Sequence, residues 1–429
     1  MTLLDTDTAT SEQTFPRHRL ANGLQIVAQP MPGVESVALG YTIGAGARDE
    51  RPNAAGISHF VESLGFQGTA TRDVQQLTEA FEDIGATPGS GADTEFSSYA
   101  VSLLGRNLAP ALELLTDVVR RPGFAEGEIP KARDRILQEI AQIEDEPMRK
   151  VLDLLRREYF KGHPLGNEVT GTADTVSATT RADLQNYWRR QYTAGNTILS
   201  VAGKVDFDAL VRQVEDLCAD WPSGGGTPMP PVPTPERHAV VLHKESTQQH
   251  IGIGFPAVPI VSDDYYAMAL MITTLGGSMN SRLFLEVREK RSLAYGIGAY
   301  YTPLKEAGFV RVYAGTTPEK AHESVEVILN ELTKLEQGGV TEDELRRAKT
   351  LLKSNVIMRS ESSGARRRAI ATQWWYEGRI RTLEEIRDEI DAVTTDQIKR
   401  LAASLGMTTN VVLTAIGPRS QEELTGGRI

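Results

Sequence analysis

The chain repeats itself. Asn196–Gly203 reads NTILSVAG and Asn410–Gly417 reads NVVLTAIG, an offset of 214 residues. TTRADL from Thr179 matches VTTDQI from Val393 at the same offset, and AEGEIPKAR from Ala125 echoes TEDELRRAK from Thr341 at an offset of 216. Three matches in one order at nearly constant spacing imply a duplication, hence two halves built on one plan. Between them Pro222–Glu236 reads PSGGGTPMPPVPTPE. Proline lacks a backbone donor and breaks both helix and central strand, so this stretch is expected to be a linker. The predicted organisation is a disordered tail over 1–15, a first domain over 16–221, a linker over 222–236 and a second domain over 237–429. A length of 429 residues suits two domains of about 200.

Each half shows the same coarse order. Alternating strands come first, LQIVAQP near Leu24 and HIGIGF near His250; amphipathic helices follow; a short apolar strand sits near the end. In the first half, Ile129, Ile136, Ile140 and Ile143 form one apolar stripe of a helix expected to run from about Glu128 to Phe160. Strands grouped apart from helices predict an α+β fold, two homologous domains each with an antiparallel sheet covered by helices on one face.

Composition narrows the function. A net charge of −11, with no basic run of five residues, argues against a nucleic-acid partner. The single cysteine, Cys218, excludes a disulfide framework and a cysteine-based zinc site, and fits a reducing compartment. No run of 18 apolar residues occurs, so no membrane span is expected. The first residues, MTLLDTDTATSEQTFPR, carry acids and lack the apolar stretch of a secretory signal. A cytoplasmic, bacterial-type location is the expectation.

The richest segment is AAGISHFVESLGF, Ala54–Phe66. At ~100° per residue, Ile57, Phe60, Val61 and Leu64 share one helix face, and His59, Glu62 and Ser63 cluster opposite. Spacing alone is compatible with an ordinary surface helix carrying a solvated His/Glu pair.

The wider stretch GISHFVESLGFQGT resembles the inverted zinc motif H-x-x-E-H of the pitrilysin and mitochondrial-processing-peptidase family of zinc peptidases. The resemblance implies that His59 is a zinc ligand and Glu62 the general base. It implies a further ligand from a distant helix. Glu139, 76 residues beyond Ser63 in RILQEIAQIEDEP, stands where that ligand is expected. Glu139 flanks the isoleucine stripe and is expected to point inward. The departure is equally plain. Ser63 replaces the second histidine, and a serine hydroxyl is a poor zinc ligand near neutral pH because a ligand must bind in its basic form. Catalytic zinc usually takes three protein ligands and water. Two further differences agree with loss of the site. GSGADTEFSSY, Gly89–Tyr99, stands where the family has an N-A-x-T-like strand, without the Asn, and Ala132 occupies a position where many relatives carry a supporting Glu. His59, Glu62 and Glu139 are therefore expected to be vestigial, with no zinc bound tightly by this chain.

In the second half, GGSMNSRLFLEVREKRSLAYGIGAYY, Gly276–Tyr301, resembles the family's other hallmark, an Arg and a Tyr seven residues apart. Arg288 and Tyr295 match. Guanidinium and phenol are directional donors suited to a substrate carbonyl gaining negative charge. The blander alternative has Arg288 paired with Glu286 or Glu289 and Tyr295 in the core. In relatives of this length, two subunits close around a chamber like a clam, and some pairs combine an H-x-x-E-H subunit with one that has lost the motif but keeps Arg and Tyr. The resemblance implies that this chain is the second kind, with a homologous H-x-x-E-H subunit as partner in a heterodimer, zinc in that partner, and a peptide as substrate. Two other readings stay open: a weakly active peptidase in its own right, recruiting a ligand such as His163 or His250, and an inert scaffold or binding protein of the same fold.

Overall fold

The computed structural model describes residues 15–427. The expected tail lies outside the described residues but for Phe15, which packs against Val27, Ile198 and Ile370. Among the described residues, eleven strands form two sheets. The first contains β1 (Arg17–Arg19), β2 (Gln25–Pro30), β3 (Ser36–Ile43), β4 (Thr87–Ala92), β5 (Ser97–Leu104) and β6 (Thr197–Gly203). The second contains β7 (His238–His243), β8 (Gln249–Ala257), β9 (Ala294–Pro303), β10 (Gly308–Thr316) and β11 (Val412–Gly417). No helix or strand lies between Cys218 and His238.

Apart from β1, an additional edge strand paired antiparallel with β2, the two sheets have the same topology. Strand order is β1-β2-β6-β3-β5-β4 in the first and β7-β11-β8-β10-β9 in the second. In each, the leading strand pairs parallel with the last, β2 with β6 and β7 with β11, and the other neighbours are antiparallel. The repeated segments fall on equivalent elements. NTILSVAG and NVVLTAIG form β6 and β11. Thr180 and Thr394, in the matched TTRADL and VTTDQI, cap the N-termini of helices Arg181–Gln191 and Thr395–Leu405 with their hydroxyls.

One helix from each half crosses to the sheet of the other. Helix Pro147–Tyr159 packs on β8, β10 and β11, and helix Ser363–Glu377 packs on β2, β3 and β6. The sheets are therefore covered on both faces, not one. On β11, Leu413 and Ala415 face the second domain's own core, while Val412 and Ile416 face the crossing helix. LQIVAQP and HIGIGF therefore do not alternate between buried and exposed as expected: Ile26 to Gln29 and Gln249 to Phe255 are buried throughout, because both faces of each sheet are covered. Tyr159 stacks on Phe309 with ring centroids 5.1 Å apart, and Phe160 meets the same ring edge-on. Each fully buried aliphatic or aromatic side chain here contributes about 1.5–3 kcal/mol.

The helix expected over Glu128–Phe160 is two helices, Glu128–Asp145 and Pro147–Tyr159. Pro147 lacks the N–H that would continue the ladder and pushes Glu146 out of the helical region, to φ −106°, ψ 84°. The break turns the chain from the first core, which buries Ile129 and Ile136, toward the second sheet.

Candidate functional site: a histidine held between two carboxylates

His59, Glu62 and Ser63 lie on helix Ile57–Ser63, which packs beside the edge strand β4. Its back face is core: Ile57, Phe60, Val61 and Leu64 are buried. The helix begins at Gly56, whose φ of +86° favours glycine, and an added Cβ there would lie 2.6 Å from the Thr170 carbonyl oxygen. The unpaired N–H groups of the first turn are met by Glu50, outside the helix. Its carboxyl accepts from the Gly56 N–H at 2.7 Å, from the Ser58 N–H at 2.8 Å and from the Ser58 hydroxyl. Burial pushes the Glu50 carboxyl up to about 8, against the pull of these donors.

The front face carries a chain of charges. His59 Nδ1 lies 3.1 Å from Glu62 Oε2, and His59 Nε2 lies 3.0 Å from Glu139 Oε2 on helix Glu128–Asp145. Arg149 Nη2 donates to the other oxygen of Glu139 at 2.9 Å. Burial opposes an imidazolium here, yet the hydrogen bonds and charges of Glu139 and Glu62 outweigh it and push His59 up to about 9. The His59 hydrogen bond holds Glu139 down to about 2; burial works the other way, and Arg149 reinforces the hydrogen bond. Both partners thus describe one ion pair, imidazolium with carboxylate.

Ser63 takes no part in it. Its hydroxyl donates to the Phe60 carbonyl at 2.9 Å, within its own helix. Zinc does not fit this donor set. The position that should offer an imidazole offers a hydroxyl turned back to the backbone, and both nitrogens of the remaining imidazole face carboxylates. Among the described residues, no group of three or more His, Cys, Asp or Glu is arranged to hold a metal ion. Ala132 is fully buried in the core. His163 directs both ring nitrogens elsewhere, to the Leu165 N–H and the Pro230 carbonyl. His250, on β8, bonds the Tyr313 hydroxyl at 2.9 Å. Gly89–Tyr99 is not one strand but the end of β4, a turn, and the start of β5. Glu95 in that turn is buried against Arg48 and the Tyr376 hydroxyl.

Arg288 and Tyr295 stand apart from this cluster; no hydrogen bond or ion pair among the described residues joins them to it. Arg288 sits in the π-helical turn Phe284–Glu289, exposed, with its guanidinium 4.9 Å from the centre of the Phe284 ring. Glu286 pairs with Lys290 and Arg291, both at 2.5 Å, and not with Arg288. Tyr295 is the second residue of β9 and 69% exposed, so it fills no core. β9 and β4 are the edges at equivalent ends of the two sheets. Sequence reasoning missed Glu50 and Arg149. Arg149 follows the unseen break at Pro147, which is what carries it back toward Glu139.

Two family descriptions match the chain: "Insulinase (Peptidase family M16)" over residues 25–173 and "Peptidase M16 inactive domain" over 178–352. The chain is 31% identical over 402 residues to an uncharacterized zinc protease, YmxG, of Bacillus subtilis, covering 94% of this chain and 98% of that one. It is 32% identical over 410 residues to an uncharacterized zinc protease of Rickettsia felis, covering 95% and 98%. Among solved structures, a peptidase M16 inactive domain from Pseudomonas fluorescens superimposes with a TM-score of 0.88 at 22% identity, over 95% of this chain and 98% of that one. A protease from Helicobacter pylori does so with 0.88 at 20% identity, over 95% and 100%. With relatives of this identity along nearly its whole length, and a site helix built on the inverted motif, the chain belongs to the insulinase family of peptidases, family M16.

Proposed function

We propose that this chain is a non-catalytic subunit of a paired zinc peptidase. It pairs with a homologous subunit that keeps H-x-x-E-H, and it offers Arg288 and Tyr295 to a peptide held at that partner's metal. One observation carries the reading. Where the motif calls for a second histidine, the Ser63 hydroxyl bonds its own helix, and the two ring nitrogens of His59 lie 3.1 Å and 3.0 Å from the carboxylates of Glu62 and Glu139. The exposure of Arg288 and Tyr295, free of acidic partners among the described residues, supports their role as carbonyl donors. An extended peptide suits the open edges at β4 and β9, where backbone pairing gives affinity with little demand on side chains. No helix among the described residues is long and apolar enough to cross a membrane, and the reading places the pair in the cytoplasm.

The test is cleavage of an unfolded peptide by the purified chain, by an H-x-x-E-H homologue and by the two mixed. The reading expects an inactive chain and a mixture faster than the homologue alone, with the gain lost on Arg288→Ala. Zinc-dependent cleavage by the chain alone contradicts it.

A further inference from the structure

Where helix Pro147–Tyr159 crosses onto the second sheet, a cavity of about 350 Å³ opens between the two halves. It reaches from Asp93, beyond the end of β4, to Arg149, which holds Glu139 of the site above. In its wall is Arg311, in the middle of β10. Strand alternation puts Arg311 with Phe309 and Tyr313, on the face the crossing helix covers. A sheet face pressed against another domain is a costly place for a guanidinium without a partner.

Arg311 has none among the described residues. Its Nε is buried without a hydrogen-bond partner, and its guanidinium lies 5.7 Å from the centre of the Phe309 ring. The neighbouring ions are mostly matched: Lys150 pairs with Glu144, and Arg157 with Glu168 at 3.1 Å. Arg156, beside Arg311, donates to the Thr94 hydroxyl at 2.7 Å and reaches Asp153 only at 4.0 Å. Burial and then the Arg156 charge both work against the charge on Arg311, and Asp153 and Asp93 offset them in part. The arrangement is two adjacent guanidinia, one without a hydrogen-bond or ion-pair partner among the described residues, lining a cavity that adjoins the candidate site.

We infer that Arg311, assisted by Arg156, binds a carboxylate of the peptide that enters this cavity. The planar donors of a guanidinium match a carboxylate in pairs, and a charge-assisted bond to a half-buried guanidinium of this kind discriminates between charged and neutral groups. The carboxylate has two sources, an acidic side chain or the peptide's C-terminus. The inference rests on the peptide-binding role proposed above and adds a preference for acidic peptides.

The experiment uses the full chain and fluorescent unstructured ten-residue peptides read by anisotropy. One carries a single Glu and an amidated C-terminus, one carries Gln and a free C-terminus, and one carries Gln and an amidated C-terminus. At least one carboxylate-bearing peptide is expected to bind about ten-fold or more tighter than the neutral one; which one identifies the source. Arg311→Met is expected to abolish that difference while leaving the neutral peptide's affinity unchanged, and Arg311→Lys to retain part of it. Unchanged affinity for the neutral peptide also shows that the variant is folded. If the Met variant discriminates as the wild type does, or the wild type binds all three peptides alike, the carboxylate site is refuted and peptide binding stands. If no peptide binds the wild type, the peptide-binding role itself fails and this inference with it.

Discussion

Replacing His59 by Gln tests the ion pair at the centre of the site. His59 is pushed from 6.5 up to about 9, which corresponds to about 3 kcal/mol of preference for its charged form. Glu139 is one-third exposed and shared with Arg149, so solvent screening leaves about 1–2 kcal/mol as the stabilisation. The sign follows from linkage. A histidine raised on folding gives stability that is full below pH 6.5 and is lost as pH rises through about 9. Glu139, lowered to about 2, gives stability that is present above pH 4.5 and lost as pH falls through 2. Urea unfolding in the presence of a chelator should therefore find His59→Gln less stable than wild type by about 1–2 kcal/mol at pH 6 and nearly equal to it at pH 10. The ring proton of His59, followed by NMR, should titrate near 9. A metal-ligating imidazole behaves in the opposite way, because it must be neutral to bind and its contribution grows as pH rises. With the metal removed by the chelator that contribution is absent at every pH, so a His59→Gln variant as stable as wild type at pH 6 would refute the ion pair.

Three further outcomes follow from the same geometry. Gly56→Ala forces an alanine to φ +86° and its Cβ to within 2.6 Å of the Thr170 carbonyl; it should cost about 2 kcal/mol or more in urea unfolding, and a loss under about 0.5 kcal/mol would show that the helix start tolerates a side chain. Leu155→Ala, at a fully buried position under the second sheet, should cost about 2–5 kcal/mol and increase amide exchange in β8 and β11; Ile370→Ala should do the same for β2 and β6. Arg288→Ala and Tyr295→Phe should leave stability within about 0.5 kcal/mol of wild type. In the paired enzyme each should lower kcat by about 10²–10³, and an unchanged kcat would remove them from the site.

The duplication was legible because it is written in local signals. The capping threonines Thr180 and Thr394 and the apolar strands β6 and β11 repeat at one spacing, and local signals survive in sequence. The site helix was legible for the same reason: its apolar back and its His/Glu front are fixed by a 3.6-residue period. The crossing helices were not, because nothing within Pro147–Tyr159 states that its apolar face meets strands ninety or more positions away. Pro147 itself could have revealed the break, since a proline after Glu146 disfavours helix at that residue. Arg311 was hidden differently. An arginine flanked by Phe309 and Tyr313 at strand spacing reads as a solvent-facing position until the opposite face is known to be covered as well.

The most direct measurement is metal stoichiometry on the full chain, stripped with chelator, dialysed against zinc at neutral pH and assayed by elemental analysis beside Ser63→His. The wild type should hold no stoichiometric zinc and Ser63→His should gain it, since the imidazole restores a third ligand beside His59 and Glu139. One tightly held zinc per wild-type chain, released by His59→Gln, would contradict that expectation.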